Sequence, residues 1–433
     1  MNDTSFTNIQ RLEKLIQASV SPYHCIQNAE SQLSNAGFLP LGLSEKWGDK
    51  IKAGGSYYVK AFDSTLFAFS IGEDFSDASS IRIASAHTDW PCLKLKPSPE
   101  IFSEGYCKLN AEIYGGAILS SWLDRPLSIA GKVCLKSEDP FQPKTIFTDF
   151  QRPLLTIPSL PIHLNKKVNE GIALNPQTDM LPILSMVTDG LEKDGCFLKL
   201  LAAQIGEEPD DILDYELFIY NCEEGALLGI DREFYSSPRL DNLTSVQAAL
   251  DGIITGRRRN GLNMIALFDN EEIGSFTKQG AGTALAERVL EKIYSSFGYE
   301  NSLNDALFNG FLLSMDVAHA VHPNHSEKYD PKNKVAPGDG VAIKMAARQS
   351  YATDSRSVSV IEGLCRKEHI PYKKFSNRSD IPGGSTLGAI ASGLLNMPAA
   401  DIGVPVLAMH SAREVMGTAD QAALSSLCRA FFC

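Results

Sequence analysis

Ile81-Arg82-Ile83-Ala84-Ser85-Ala86-His87-Thr88-Asp89 is the stretch on which the fold turns. Ile81 to Ala84 is a short apolar run, and it breaks abruptly into His87-Thr88-Asp89. That pattern fits a buried strand delivering polar groups at its carboxyl end, where open α/β sheets place their ligands. Two residues apart on an extended chain, His87 and Asp89 share a face. Alone the pair means little, since an isolated His-x-Asp is more often a surface turn.

The surrounding chain supports a sheet. Upstream, Gly55 to Val59 and Thr65 to Ser70 read as strands. Phe6 to Ala36 reads as helical, with Leu12, Leu15, Ile16 and Val20 at helical spacing and Ser21-Pro22 stopping the pattern. Downstream, strands are expected at Leu217 to Tyr220, Asn263 to Phe268, Phe311 to Met315 and Val404 to Ala408. Helices are expected at Leu243 to Ile254 and Gly282 to Ser296. Alternating strands and helices predict an α/β sandwich. Between them the texture changes: prolines are frequent, periodicities are short, and Gln151 to Asn175 has loop chemistry with embedded apolar residues. Residues 97–229 therefore read as a β-rich domain inserted into a discontinuous catalytic domain, 1–96 and 230–433.

Composition narrows the class. A chain of 433 residues predicts two domains. Apolar residues at 44% and charged residues at 21% are those of an ordinary globular protein. Acidic residues outnumber basic ones 52 to 40, a net charge of −12, which argues against nucleic acid or anionic membrane as partners. The one basic run, Arg257-Arg258-Arg259, reads as a solvated helix end. Nine cysteines without a CxxC pair, no apolar run long enough for a membrane helix, and a start (Met1-Asn2-Asp3-Thr4) without signal-peptide character predict a reducing, cytoplasmic setting. The sequons at Asn242 and Asn377 are discounted for the same reason.

Four further places put metal-ligand residue types at the end of an apolar run or beside a helix start. They are Ser237-Pro238-Arg239-Leu240-Asp241-Asn242, Phe268-Asp269-Asn270-Glu271-Glu272, Leu313-Ser314-Met315-Asp316-Val317-Ala318-His319 and Leu407-Ala408-Met409-His410-Ser411-Ala412-Arg413-Glu414. Each has a bland reading. A carboxylate before a helix is commonly an N-cap, and paired glutamates can be a solvated helix start. Together they supply histidines and carboxylates suited to two hard-to-borderline cations. HExxH, GxxxxGK[ST] and GxSxG are absent.

These motifs carry a resemblance. In order, SAHTDWPCLKLKP, YGGAILSSWLDRPLSIAG, LPIHLN, SPRLDN, DNEEIGSFTKQGA, SMDVAHAVHPNHSEKYDP, GGSTLG and DIGVPVLAMHSARE resemble the aspartyl aminopeptidase family of dizinc metallopeptidases over nearly the whole chain. The resemblance implies that Asp241 bridges two metals. His87 and Asp316 would complete one site, Glu272 and His410 the other. Asp89 would orient His87, and Glu271 would be the general base. A cis Asp241-Asn242 peptide is also implied. His319 and Lys344 would line the substrate side, favouring an acidic first residue, and His163 would reach a neighbouring subunit's active site. A tetrahedral homododecamer built from dimers is implied, with the inserted domain making dimer contacts and closing a chamber to all but unfolded peptides.

The chemistry is coherent. Two ions about 3.5–4 Å apart can clamp one hydroxide and lower its pKa. A free glutamate can then shuttle its proton to the leaving amine. Zinc suits the mixed ligand set, and cobalt or manganese could replace it in one site. Trp90, Ala117, Leu119 and Gly383 depart from the family pattern near the expected pocket, so a neutral first residue stays open alongside Asp or Glu. The rival readings are a dizinc deacylase or carboxypeptidase of similar architecture, and an inactive oligomeric scaffold.

Overall fold

The computed structural model describes residues 3–171, 173–188 and 194–433. Met1 and Asn2 of the start, and Ile172 of the loop-like segment, lie outside them.

The stretch beginning at Ile81 forms a strand, Ile81–His87, at the centre of a nine-stranded sheet among the described residues. Leu262–Phe268 and Phe311–Met315 flank it, both parallel to it, with Phe268 opposite His87 and Ser314 opposite Ser85. The three strands therefore end together on one edge. Ala399–Gly403 continues the parallel set beyond Phe311–Met315. Alternate residues of the central strands enter opposite cores. Ala84, Ala86, Ile265 and Leu267 pack with helices Leu240–Thr255 and Thr418–Phe431. Ile81, Ile83, Met264 and Ala266 pack with Leu285–Ser296 and Leu387–Leu395. Burial on both faces is why these strands read as continuous apolar runs. The architecture is an α/β sandwich, as expected.

A second sheet of six strands is drawn from the middle of the chain. Its order is Lys144–Asp149, Leu127–Leu135, Ile212–Asn221, Cys92–Ser103, Tyr106–Tyr114 and Ile183–Met186. All neighbours are antiparallel. Its Cys92–Ser103 strand begins three residues after Asp89 and runs through residue 97. A third sheet includes Glu414–Gly417, Pro405–Leu407 and the short Ala318–His319 strand.

The amino-terminal helical stretch is two helices, Asp3–Ala18 and Pro22–Asn35, with Ser21 capping the second at His24 N. The basic run differs from its solvated reading at one position. Arg257 and Arg259 are exposed, but Arg258 turns inward to donate to Ser80 O at 2.7 Å, Leu262 O at 3.0 Å and Asn263 Oδ1 at 2.8 Å. All nine cysteines are free thiols. No described helix is long and apolar enough to cross a membrane.

Candidate metal centre

His87, Glu271, Glu272 and Asp316 lie at or just past the carboxyl ends of neighbouring strands of the nine-stranded sheet, and Asp241 and His410 meet them from a helix start and from a loop of the third sheet. His87 is the last residue of its strand. Thr88 extends the pairing, its N–H donating to Phe268 O at 2.8 Å. Phe268 is followed by Asp269, Asn270 and a single 3₁₀ turn, Glu271–Ile273. Asp316 follows Met315, and its N–H donates to Ile402 O at 2.9 Å. Gly403 lies so close to Asp316 that any side chain there would meet the Asp316 carbonyl oxygen. Asp241 sits in the non-helical first turn of Leu240–Thr255, where Asp241-Asn242 is a cis peptide. His410 is carried by a loop after Pro405–Leu407, with Ala408 and His410 both at positive φ, 55° and 67°.

Two triads share Asp241. His87, Asp241 and Asp316 form one, and Asp241, Glu272 and His410 the other. His87 Nε2 lies 3.4 Å from Asp241 Oδ1 and 3.5 Å from Asp316 Oδ1. His410 Nε2 lies 3.4 Å from Asp241 Oδ2 and 3.6 Å from Glu272 Oε1. Ligands bound at zinc's usual bond lengths in a tetrahedral site stand about 3.3 Å apart, close to these separations. Asp241 Oδ1 is buried and accepts no hydrogen bond, although buried carboxylate oxygens almost always have a partner. A divalent cation in the His87 triad would satisfy it, and the second triad offers the same donor types, so the residues present fit a metal. His87, Glu271 and Glu272 form a third, overlapping group.

The ring nitrogens are sorted by their outer partners. His87 Nδ1 lies 3.0 Å from Asp89 O and 3.4 Å from Asp89 Oδ1. His410 Nδ1 lies 3.2 Å from Gly116 O. With Nδ1–H donating to an oxygen in each case, Nε2 is the atom left facing the triad. Asp89 orients His87 through its carbonyl as well as its carboxylate. Its two carboxylate oxygens also accept the N–H groups of Glu271 and Glu272, each at 3.1 Å.

The electrostatics are those of a cation site. Burial pushes Glu271 up to about 8; His87 pulls against this while the carboxylates of Asp316, Asp89 and Asp241 reinforce it. Glu272 is raised well above the usual range by burial and by Asp241. Burial works against charge on Asp241, yet His410 and His87 hold it well below the usual carboxylate range. Burial likewise opposes charge on the imidazoles, but Asp241, Asp316 and Asp89 raise His87 well above normal. Asp241 and Glu272 raise His410 to about 10 against the same penalty. Both imidazoles are thus held towards the charged form in metal-free protein, and a metal must compete with protons for them. Zinc uptake at pH 7 is expected to release protons from these rings and from Glu272, so apparent affinity should rise with pH. Titration calorimetry in buffers of different ionisation enthalpy reads the proton count directly.

The residues expected on the substrate side fall in different places. His319 is half-buried, edge-on to Phe375 at 6.3 Å, in a cavity of about 260 Å³ shared with Met409 and His410. Burial and Lys344 lower its pKa, so it is neutral at pH 7. Lys344 is only 1% exposed. Its ammonium lies 3.3 Å from Asp316 Oδ2, 3.1 Å from Val317 O and 5.1 Å from the centre of the Tyr351 ring. It stands behind a metal-ligand candidate rather than open to solvent. His163 is exposed, in a turn where Leu164 N donates to Pro161 O at 2.8 Å, and it is not among the residues that come together at the triads. Trp90 is buried against the Arg239 guanidinium, whose carbon is 5.5 Å from the ring centre.

Sequence reasoning missed Glu414. It is 2% exposed and accepts from Asp241 N through Oε2 and from His410 N through Oε1, each at 3.0 Å. One carboxylate therefore braces the backbone of two candidate ligands, Asp241 and His410. Its position four residues after His410 was the available signal. Asn242 is also structural: it is fully buried and donates to Met315 O at 2.8 Å, which removes its sequon from consideration.

Comparison with known proteins adds an independent line. The model of the M18 family, described as aminopeptidase I zinc metalloprotease, matches residues 15–432. A probable M18 family aminopeptidase 2 from Clostridium acetobutylicum is 44% identical over 413 residues, covering 95% of each chain. A cryo-EM structure titled as the Ape4 and Nbr1 complex superposes with a TM-score of 0.94 at 33% identity, covering 99% of this chain and 86% of that one. A dodecamer titled as S. cerevesiae mApe1 superposes at 0.85 with 25% identity, covering 100% and 97%.

Proposed function

The chain belongs to the M18 family of zinc aminopeptidases, and on that premise we propose that it removes single residues from peptide N-termini with two zinc ions per subunit. The observation that carries the proposal is Asp241, whose two oxygens each face a different histidine at 3.4 Å. His87, Asp241 and Asp316 would hold one ion, and Asp241, Glu272 and His410 the other. Bound there, the ions would polarise the scissile carbonyl, acidify the attacking water and hold the free amine.

The protein's own groups do the rest. Glu271 is within reach of His87 and Glu272 but belongs to neither Asp241-centred triad, so it is free to take a proton from water and pass it to the leaving amine. Asp89 holds its backbone still. Lys344 offsets charge on Asp316, and Glu414 fixes Asp241 and His410. His319 and the cavity beside His410 would meet the first residue of the substrate. Acidic preference, Asp or Glu, follows from the aspartyl aminopeptidase resemblance. His163 would serve a neighbouring subunit in a homododecamer, with residues 97–229 as dimer and lid domain. Exposed Leu160, Ile162 and Leu164 around it support an intersubunit role. Free thiols support a reducing, cytoplasmic setting.

The test is a panel of peptides beginning with Asp, Glu, Leu, Ala or Lys, alongside N-acetylated versions, with and without chelator. The expected result is chelator-sensitive release of the first amino acid, fastest for Asp or Glu and absent for blocked peptides. His163→Ala should lower kcat/KM for acidic substrates by about tenfold or more, the cost of losing a charge-assisted hydrogen bond. Turnover of acetylated amino acids in preference to free peptides would favour a deacylase instead.

A further inference from the structure

A hydrogen-bond chain crosses from the six-stranded sheet to the glutamate turn, and its outer links beyond Asp89 have no part in the reaction above. Tyr114 ends the Tyr106–Tyr114 strand and is 8% exposed. Its hydroxyl donates to Asp89 Oδ2 at 2.7 Å and accepts from Asn270 Nδ2 at 2.9 Å. Thr277 Oγ1 donates to Asn270 Oδ1 at 2.8 Å, closing the far side. Asp89 is fully buried, and its oxygens receive the N–H groups of Glu271 and Glu272. Tyr114 is thus one bond removed from the backbone of both glutamates. Its ring is packed edge-on against Phe218 at 5.7 Å, so the hydroxyl has little freedom to move. The next two residues tighten the same contact: a side chain at Gly115 would press on Glu272 Cβ at 3.1 Å, and Gly116 O holds His410.

We propose that Tyr114 is a positioning residue, its hydroxyl fixing the Asp89 carboxylate and, through it, the Glu271–Glu272 turn, so that the six-stranded sheet sets the aim of the general base. The proposal rests on the aminopeptidase reading for its consequence but not for its geometry. Asp89 Oδ2 is shared by two donors, Tyr114 O–H and Glu272 N–H. Without the phenol it is one donor short in a buried site, and Asn270 loses its acceptor. Burial and Asp89 both raise the phenol's pKa, so it remains a donor at every working pH.

Tyr114→Phe removes the hydroxyl and keeps the ring. In zinc-saturated protein it should lower kcat about 10–100-fold, as loss of an outer hydrogen-bond partner does at metal sites, with KM and bound zinc unchanged. Amide hydrogen exchange should speed up over Asn270–Gly274 and stay unchanged across the strands of the six-stranded sheet. Thr277→Val, which leaves Tyr114 intact but frees Asn270, should shift both readouts the same way and less. Wild-type kcat and wild-type exchange in Tyr114→Phe would overturn the proposal. So would faster exchange throughout the sheet with a matching fall in Tm, since that marks packing alone. The exchange measurement needs no turnover, so an inactive wild-type protein would sink the aminopeptidase reading and still leave the positioning role decided.

Discussion

Glu271→Gln is expected to lower kcat by about 10²–10⁴-fold, the range for a lost general base, while zinc content and fold are retained. Glutamine matches the side chain in size and keeps the N–H that donates to Asp89 Oδ1. What it lacks is an oxygen able to accept and return a proton. Glu271 lies outside both Asp241-centred triads, so the change leaves the ligand set whole. KM should move little, because the loss falls on a group used in the transition state rather than in binding. Metal analysis beside steady-state kinetics checks both halves. A variant that loses zinc as well as rate would make Glu271 a ligand, in keeping with its place in the third group beside His87 and Glu272.

Asp241→Asn is expected to have the larger effect, because one side chain serves both triads. Oδ1 faces His87 and Oδ2 faces His410. An amide offers one oxygen and turns an NH₂ towards the other histidine, so at most one triad keeps its full donor set. Zinc content should fall from two ions per subunit to one or fewer. Activity should fall by more than the roughly 10–100-fold typical of outer partners. The change also removes the charge that holds His87 and His410 protonated without metal, so their pKa values should drop towards normal. Elemental analysis of the purified variant, with added zinc over a range of concentrations, separates lost affinity from lost catalysis.

How much was legible beforehand depended on how local each signal is. The central strands could be read because burial on both faces makes them uninterrupted apolar runs, and the candidate ligands His87, Glu272 and Asp316 stand out because each lies just past the end of such a run or closes it. Ala399–Gly403 was hidden for the opposite reason. It carries a fully buried Asp401 in mid-strand, satisfied by Thr386 Oγ1 at 2.6 Å, and its N–H is taken by Thr353 Oγ1 at 2.8 Å. A charge there reads as a turn, and the strand was instead expected at Val404 to Ala408, which pairs in another sheet as Pro405–Leu407. Glu414 and Tyr114 were invisible because their roles are made by partners far away in sequence. Glu414 acts on Asp241, and Tyr114 acts on Asp89 and Asn270. Lys344 shows the converse: its ammonium lies 3.3 Å from Asp316 Oδ2, a pairing no spacing reveals.

The central claim is a pair of ions joined by Asp241. It is tested most directly by anomalous diffraction at the zinc edge from crystals of zinc-loaded protein. Two peaks about 3.5–4 Å apart are expected, one contacted by His87 and Asp316, the other by Glu272 and His410, with an Asp241 oxygen on each. A single peak, or peaks away from Asp241, would contradict the account.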